Sequence, residues 1–584
     1  MPPARAEGVP SSAMTRLGWF LVSVAACGAA ELESTPVGTT SGVGGSTDGA
    51  TSPTNADGTS TGGADVDSGD APDAGGGDTT TGGDTPGLDA AEQVIYLVMP
   101  DRFVDGDVDN DLLGPEGCFD PADARKFHGG DLQGVRDRLD HLGALGVTTL
   151  WITPVYAQSP DRCGYHGYWA DFADPDDGAM QPTLGTLEDL QGLADDLHAA
   201  GQWLVLDMVV NHAGPGARVV QQRPEWFHDP DGCARLGPAE VYCPIGGSPL
   251  PDFAQEVPEV ADYLDAQSVG WIERVAFDGV RMDTVKHVPV EYWNDGWIPA
   301  VRDAKPELFV VGEVFDTGST EKLVPYLDAG FDSLFNFPLM AELGHVFGGG
   351  GSVNPLASRV AEQAEVLGQA RLRALTSFVD NHDVPRFTSA VVDADPEEIH
   401  RRYLLALGAL FTLPGIPMLY YGDEVGLLGA GDPDNRRDMP SWAFTDEGRA
   451  VDHPDDALPG ADVTFARVQQ LIALRREHPA LVRGDYVELW RKGGQAANIF
   501  AFVRTDVADP IVVAFNNGAE AAGPVDIRIA ANEALSAADL ALFTDGTELV
   551  ELLGAGGPAA VTITEGELRL SLPGRTMAIY SRAR

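Results

Sequence analysis

Lysine is nearly absent: the chain of 584 residues carries five. Asp and Glu outnumber Lys and Arg by 89 to 38, a formal net charge of −51. Nucleic acid and anionic membrane surfaces are gripped through basic patches, so neither partner class fits this chain. What cationic work there is falls to arginine. Cysteine is scarce too, five in all, and no CxxC or Cys/His spacing of a zinc site occurs. The apolar run Leu17 to Ala26, within "MTRLGWFLVSVAACG", is too short to cross a bilayer. No transmembrane helix is expected.

That same stretch has the layout of a secretory signal: one Arg, a short apolar core, then small residues. The small residues directly before Cys27 resemble a bacterial lipoprotein cleavage box, although Val24 stands where Leu is commoner. On this reading residues 1–27 are a lipoprotein-type signal, Met14 is a candidate true start, and Cys27 carries a lipid anchor. A plain signal peptide followed by a coincidental Cys is the competing reading. Residues 28–90 are dominated by Gly, Ser, Thr and Asp, as in "TTSGVGGSTDGATSPTNADGTSTGG". Such a segment buries too little apolar surface to fold and is expected to act as a flexible acidic tether. An extracellular or cell-surface location follows, and export permits disulfides. Cys233 and Cys243, close together in a Gly/Pro-rich loop, are expected to pair, which leaves Cys118 for Cys163.

Beyond the tether, short apolar runs alternate with amphipathic stretches. "VIYLVM", "VTTLWITPV", "WLVLDMVV", "FDGVRMD", "LFVVGEVF", "FDSLFNF", "LTSFVD" and "MLYYGDEV" are strand candidates, with helical patterns such as "LEDLQGLADDLHAAG" and "PEEIHRRYLLALGALFTL" between them. Eight strand–helix repeats predict a (β/α)8 TIM barrel, an α/β fold, over residues 91–212 and 261–482. The gap from Asp207 to Asp283 far exceeds the ~30 residues of one βα unit. Its excess, residues 213–260, reads as a small domain inserted after strand 3. Residues 483–584 alternate apolar and polar positions between turn signals, which predicts a C-terminal antiparallel β-sandwich.

In such a barrel, function collects at the C-terminal ends of the strands. Reactive side chains crowd four of those ends: "LDMVVNH" (Asp207, Asn211, His212), "GVRMDTVKH", "VVGEVF" and "FVDNHD" (Asn381, His382, Asp383). A fifth segment, "CGYHGYWADF", places His166, Tyr168 and Trp169 just past another strand. Arg281 and Asp283, two apart on one strand, share a face, so the guanidinium favours an ionised carboxylate. That makes Asp283 a candidate nucleophile; a structural Arg–Asp pair is the alternative. Glu313 follows the apolar "LFVV", surroundings that raise a carboxyl pKa and suit a general acid. Taken alone it reads equally as a buried structural Glu. Two carboxylates in unlike environments divide the labour of a retaining glycosidase, and Asp383 beside His382 is placed to grip sugar hydroxyls.

In their order and on these strands, the four segments resemble the signature segments of the α-amylase family of glycoside hydrolases. "YHGYWA" and "LPDFAQ" resemble its two supplementary segments. The resemblance covers about Ala91 to Arg584. It implies Asp283 as nucleophile, Glu313 as general acid/base, Asp383 as transition-state stabiliser, and Arg281 holding Asp283 ionised. His166, His212 and His382 would bind hydroxyls of the sugar being cleaved, with Tyr168 stacking beneath its ring. Lys286, His287 and Phe315 fall on the leaving-group side. "GDPDNRRDM" resembles a loop of cyclodextrin-forming members, whose matches Asp432 and Arg436 contact sugars further along the non-reducing side.

The resemblance also implies calcium as cofactor. Asn211, Asp252 and the backbone carbonyl of His287 match a site between barrel and inserted domain. Asp105, Asp107, Asn110, Asp111, Gly129 and Asp131, from "DGDVDND" and "HGGD", match a second site; an acidic solvated loop is the alternative there. The sequence departs from the family pattern at Phe253 and Ala254, where Leu-Asn is common, and after Glu313, where Val-Phe-Asp replaces a frequent Trp. The expected protein is thus a monomeric α-amylase that hydrolyses internal α-1,4 bonds of starch-like glucans with retention. A cyclodextrin-forming, maltogenic or otherwise transglycosylating enzyme is the alternative; the short C-terminal region argues against it, because such relatives usually carry further domains. An inactive glucan-binding protein, which would typically have lost one of the acids, is a third reading.

Overall fold

Each of the eight apolar runs forms a strand: β1 (Ile95–Val98), β2 (Thr149–Ile152), β3 (Trp203–Met208), β4 (Gly279–Met282), β5 (Phe309–Gly312), β6 (Ser333–Leu334), β7 (Thr376–Ser377) and β8 (Ile416–Tyr420). These come from a computed structural model that describes residues 89–172, 180–245, 250–391, 393–493, 497–506 and 509–583. The expected signal, Cys27 and most of the tether lie outside the described residues. The strands pair in parallel in the order β6-β5-β4-β3-β2-β1-β8-β7. A parallel bridge from Phe335 to Thr376 joins the two ends, so the sheet closes into a barrel. Almost every strand residue is buried, as parallel strands must be when helices cover one face and the barrel core fills the other.

Local signals set the helices. Leu187–Ala199 starts at a capping box in which Thr186 and Asp189 exchange side-chain and backbone hydrogen bonds. Its Leu190, Leu193, Ala194 and Leu197, three and four apart, are buried. Burying each Leu stabilises by about 1.5–3 kcal/mol, so Leu193→Asp would detach this face. Pro396–Thr412 is capped by the Asp395 carboxylate, which accepts from Glu398 N.

Asp278, at the start of β4, faces away from the mouth of the barrel. Its Oδ2 accepts from Leu204 N at 2.8 Å and lies 2.9 Å from His198 Nε2. It clamps β3 and the preceding helix at the closed end. Between β3 and the helix Pro258–Arg274, the described residues of the insertion form short helical turns and an isolated antiparallel bridge, Phe227 to Phe253. Both disulfides are present, Cys233–Cys243 within the insertion and Cys118–Cys163 between two loops at the barrel mouth. Among the described residues no helix is long and apolar enough to cross a membrane.

The C-terminal region is a six-stranded antiparallel sheet, order β14-β13-β16-β11-β10-β9, facing a two-stranded one, β12-β15. Here β9 is Asp485–Trp490, β10 Ile499–Thr505, β11 Ile511–Asn516, β12 Ala522–Arg528, β13 Glu548–Glu551, β14 Ala560–Thr562, β15 Glu567–Leu572 and β16 Thr576–Arg582. The central strands are apolar on both faces, where the sequence pattern predicted alternation. Phe500, Phe502, Val513, Phe515 and Ile579 join the core of the barrel; Ile499, Ala501, Val503, Val512 and Ala514 join that of the sandwich. Met577 packs so tightly on the helix Pro396–Thr412 that a Cβ on Gly408 would fall 2.0 Å from its Sδ. Arg504, fully buried, donates to the carbonyls of Thr412 and Gly484 across the junction.

Candidate active site

The strands bring the three acids to one mouth. Asp283 directly follows β4 and Glu313 directly follows β5. Their backbone N–H groups still belong to the ladder, donating to Met208 O and Met282 O at 2.9 Å each. The acids therefore inherit the register of the barrel rather than the freedom of a loop. Asp383 stands on the loop after β7.

Arg281 organises the centre. Its Nη1 donates to Asp283 Oδ1 at 2.7 Å and to Asp207 Oδ1 at 2.9 Å; its Nη2 lies 3.3 Å from Glu313 Oε2. One buried guanidinium thus serves three carboxyl groups, as its fork permits. Asp283 Oδ2 is buried with no hydrogen-bond partner. Burial pushes the Glu313 carboxyl up to about 8 despite the nearby Arg281, with the Asp283 and Asp383 charges adding to the rise. Thr284 N donates to Glu313 Oε2 at 2.8 Å. Burial likewise lifts Asp383, against the pull of Arg436.

The histidines line the same cavity. Burial holds His166 and His382 well below the usual imidazole range and lowers His212 too, so all three are neutral at pH 7. The Tyr168 hydroxyl donates to Asp207 Oδ2 at 2.6 Å and accepts from His382 Nε2, also at 2.6 Å. Its ring runs nearly parallel to His382, 5.3 Å between centroids and 8° between planes. Tyr168 is 1% exposed. Arg436 is buried, and its contacts run inward, to Asp383 Oδ1 at 3.3 Å, Asp432 Oδ1 at 3.1 Å and the His382 carbonyl at 2.9 Å. Phe315 packs on Phe337. Lys286 and His287 meet the insertion at Glu240, at 3.1 Å and 2.7 Å.

Sequence reasoning assigned no role to Asp207, Trp151, Tyr165 or Asn435. Asp207 takes Arg281, Tyr168 and the Trp151 indole N–H together. Asn435 donates to the carbonyls of His382 and Val384, fixing the loop that carries Asp383. Asp207 stood in a quoted strand end, so its position was a usable signal. Trp151 sat in an apolar run that reads as core.

The calcium expectation can be tested on unpartnered oxygens. Among the described residues no three His, Cys, Asp or Glu side chains gather as a metal cluster, so any ion would rely on amide and backbone oxygens too. Asn211 Oδ1 is buried without a partner, on a segment that pairs with Asp252 through the His212–Asp252 bridge. Asp252 Oδ2 is held by His228 Nδ1 at 2.8 Å. In the N-terminal loop, Asn110 Oδ1 and Asp111 Oδ1 are buried without partners. Burial and the neighbouring Asp105, Asp131 and Asp107 push Asp111 up to about 6. Gly129, at φ +95°, has no room for a side chain: a Cβ would fall 2.5 Å from Asp111 Oδ1. Asp131 is already engaged by the N–H groups of Gly106, Asp107 and Gly134 and by Asn110 Nδ2. The crowded carboxylates and unpartnered oxygens of the N-terminal loop are the donors a hard cation takes; at the insertion the unpartnered Asn211 oxygen is one such donor, with Asp252 already engaged by His228.

Comparisons with known proteins agree with this arrangement. The family model described as "Alpha amylase, catalytic domain" matches residues 97–229 and 239–453. An α-amylase of Streptomyces lividans is 29% identical over 492 residues, 68% of this chain and 52% of that protein, so the chain spans about half its length. The crystal structure of an Anoxybacillus α-amylase superposes with a TM-score of 0.71 at 31% identity, covering 85% of this chain and 99% of that one. A cyclomaltodextrin glucanotransferase described as having a three-domain ABC distribution gives 0.69 at 25% identity, covering 84% and 99%. Other relatives are named neopullulanase, cyclomaltodextrinase and maltogenic α-amylase. With a closed barrel, acids at its mouth and a family match over more than half the sequence, the chain belongs to the α-amylase family of glycoside hydrolases.

Proposed function

We propose that the protein is a retaining α-glucan hydrolase that cuts internal α-1,4 bonds of starch-like polymers. The observation that carries this reading is the division of Arg281 between Asp283 and Glu313. Asp283 accepts from Arg281 Nη1 at 2.7 Å through Oδ1, and its partnerless Oδ2 is the attacking atom. Glu313, lifted to about 8 by burial, keeps its proton at neutral pH and delivers it to the departing oxygen. In the first step an Asp283–sugar bond forms as the glycosidic C–O bond breaks. In the second, Glu313, now a carboxylate facing Arg281 and Thr284 N, takes a proton from water, whose oxygen displaces Asp283. Asp383, fixed by Arg436, and the neutral imidazoles of His166, His212 and His382 hold the sugar's hydroxyls.

Bound calcium would supply a structural cross-link: Asn211, Asp252 and the His287 carbonyl would hold one ion, and Asp105, Asp107, Asn110, Asp111, Asp131 and the Gly129 carbonyl a second. The disulfides suit an oxidising location, in keeping with export and attachment through Cys27, and the working unit is read as a monomer. Starch digestion tests the function: Asp283→Asn must abolish cleavage, and an experimental structure must place the Asp283 and Glu313 carboxyls about 5–5.5 Å apart.

The second reading keeps the chemistry and gives the sugar to another sugar. It draws support from the "DPDNR" loop and from relatives named for cyclodextrin turnover. The short C-terminal region does not count against it, since a glucanotransferase of three-domain layout is matched over 99% of its length. Mainly cyclic products would replace the first reading with the second. An inactive binding protein is disfavoured because all three acids are present.

A further inference from the structure

We infer that Glu240, on the inserted segment, is a specificity-determining residue for the leaving-group side of the site. The inference rests on the catalytic reading above. Glu240 lies on the short helix Ala239–Tyr242, whose chain is closed by the Cys233–Cys243 disulfide. From there it fixes two successive residues beyond β4. Its carboxylate pairs with Lys286 Nζ at 3.1 Å, and its backbone carbonyl lies 2.7 Å from His287 Nδ1. Its charge is also felt by Lys322 and Tyr326, on the helical turns that follow β5; Lys322 pairs with Asp316. Of the chain's five lysines, Lys286 is the one that pairs with this glutamate.

Stability does not account for this arrangement. The Glu240 side chain is 55% exposed, and such surface ion pairs contribute little to folding. What the pair does is restrict a flexible ammonium. Lys286 is 15% exposed and carries three donors. One turned to Glu240 leaves two for hydroxyls of the departing or accepting sugar, on a segment whose Thr284 and Val285 N–H groups bond Glu313. The disulfide limits the excursions of the segment that carries Glu240. The partner class is therefore a hydroxyl-rich sugar on the leaving-group side, and the preferred bond in a chain depends on how Glu240 holds Lys286.

The test is a bond-cleavage map of reducing-end-labelled maltoheptaose. It uses the full chain and its Glu240→Gln, Lys286→Met, double, and Cys233→Ser/Cys243→Ser variants. Glu240→Gln is expected to raise KM about two- to fivefold, the range of an exposed ion pair, with kcat preserved. It should also move the preferred bond. The double variant should add nothing to Lys286→Met, since the two act as one unit, and loss of the disulfide should shift the map in the same direction. Identical maps for wild type and Glu240→Gln, or additive effects of the two substitutions, overturn the inference and leave the glycosidase reading intact. A wild-type protein that leaves maltoheptaose and starch uncut overturns that reading and this inference with it.

Discussion

Thr284 delivers its backbone N–H to Glu313 Oε2 from a left-handed conformation, φ 51° and ψ 33°. A β-branched residue adopts that region at a cost of roughly 1–2 kcal/mol. Its hydroxyl is also buried without a partner. Both costs fall on the residue next to Asp283, where the following N–H, of Val285, goes to the Glu313 carbonyl. Thr284→Gly is expected to raise the melting temperature by a few degrees and to lower kcat/KM about tenfold through looser positioning of the acid. Calorimetry and steady-state kinetics check this. A variant both more stable and fully active would separate the strain from catalysis.

The pH profile should follow Glu313. Its carboxyl titrates at about 8 in the fold, against 4.5 when unperturbed. The acid form works below the folded value, so the alkaline limb of kcat/KM should fall near pH 8. For stability, the native state holds a proton between pH 4.5 and 8 that the unfolded chain has lost. Stability therefore declines as pH rises through that window. Glu313→Gln, neutral throughout, is expected to melt higher than wild type at pH 8 and like it at pH 4, while losing activity. Melting curves that differ equally at both pH values would refute the assignment.

Arg281→Met removes the charge shared by Asp207, Asp283 and Glu313. Breaking one side of a buried ion network costs about 3–5 kcal/mol. Losing a preorganised donor costs about 10²- to 10³-fold in rate. Both effects are expected at neutral pH. The stability loss should shrink in acid, where Asp207, lifted to about 7 by burial, takes up a proton; denaturant melts at pH 4 and 7 measure it.

Chelation tests the cation sites. EDTA is expected to lower the melting temperature and calcium to restore it; an ion present at 100 times its Kd contributes about 2.7 kcal/mol. Asn211→Ala should remove part of that response and Asp111→Asn another part. An unchanged melting temperature in EDTA would exclude bound calcium as a stabiliser.

The barrel was legible in the sequence because eight apolar runs stand between amphipathic helices. β7 shows how thin the signal becomes: only Thr376 and Ser377 of "LTSFVD" pair as strand. The strands β9, β13 and β14 were not read, since half-exposed strands mix charged and apolar residues without a clear period. Asp207 and Asp278 illustrate the limit for single residues. Both are acids in apolar strands, yet Asp207 lies at the mouth among catalytic groups and Asp278 at the closed end against His198. Position along the strand, not residue type, separates them. Glu240 left no trace in sequence, because its contact with Lys286 is wholly tertiary.

β10, β11 and β16 have one face in each of two cores. The segment boundary near residue 483 is thus one of chain order only. Recombination or truncation there would not free a self-sufficient barrel: it would strip the shared wall, opening the pocket where Met577 meets Gly408 and leaving the Thr412 carbonyl that Arg504 holds to find water. As a unit of inheritance or of engineering, the catalytic barrel includes its C-terminal sheet.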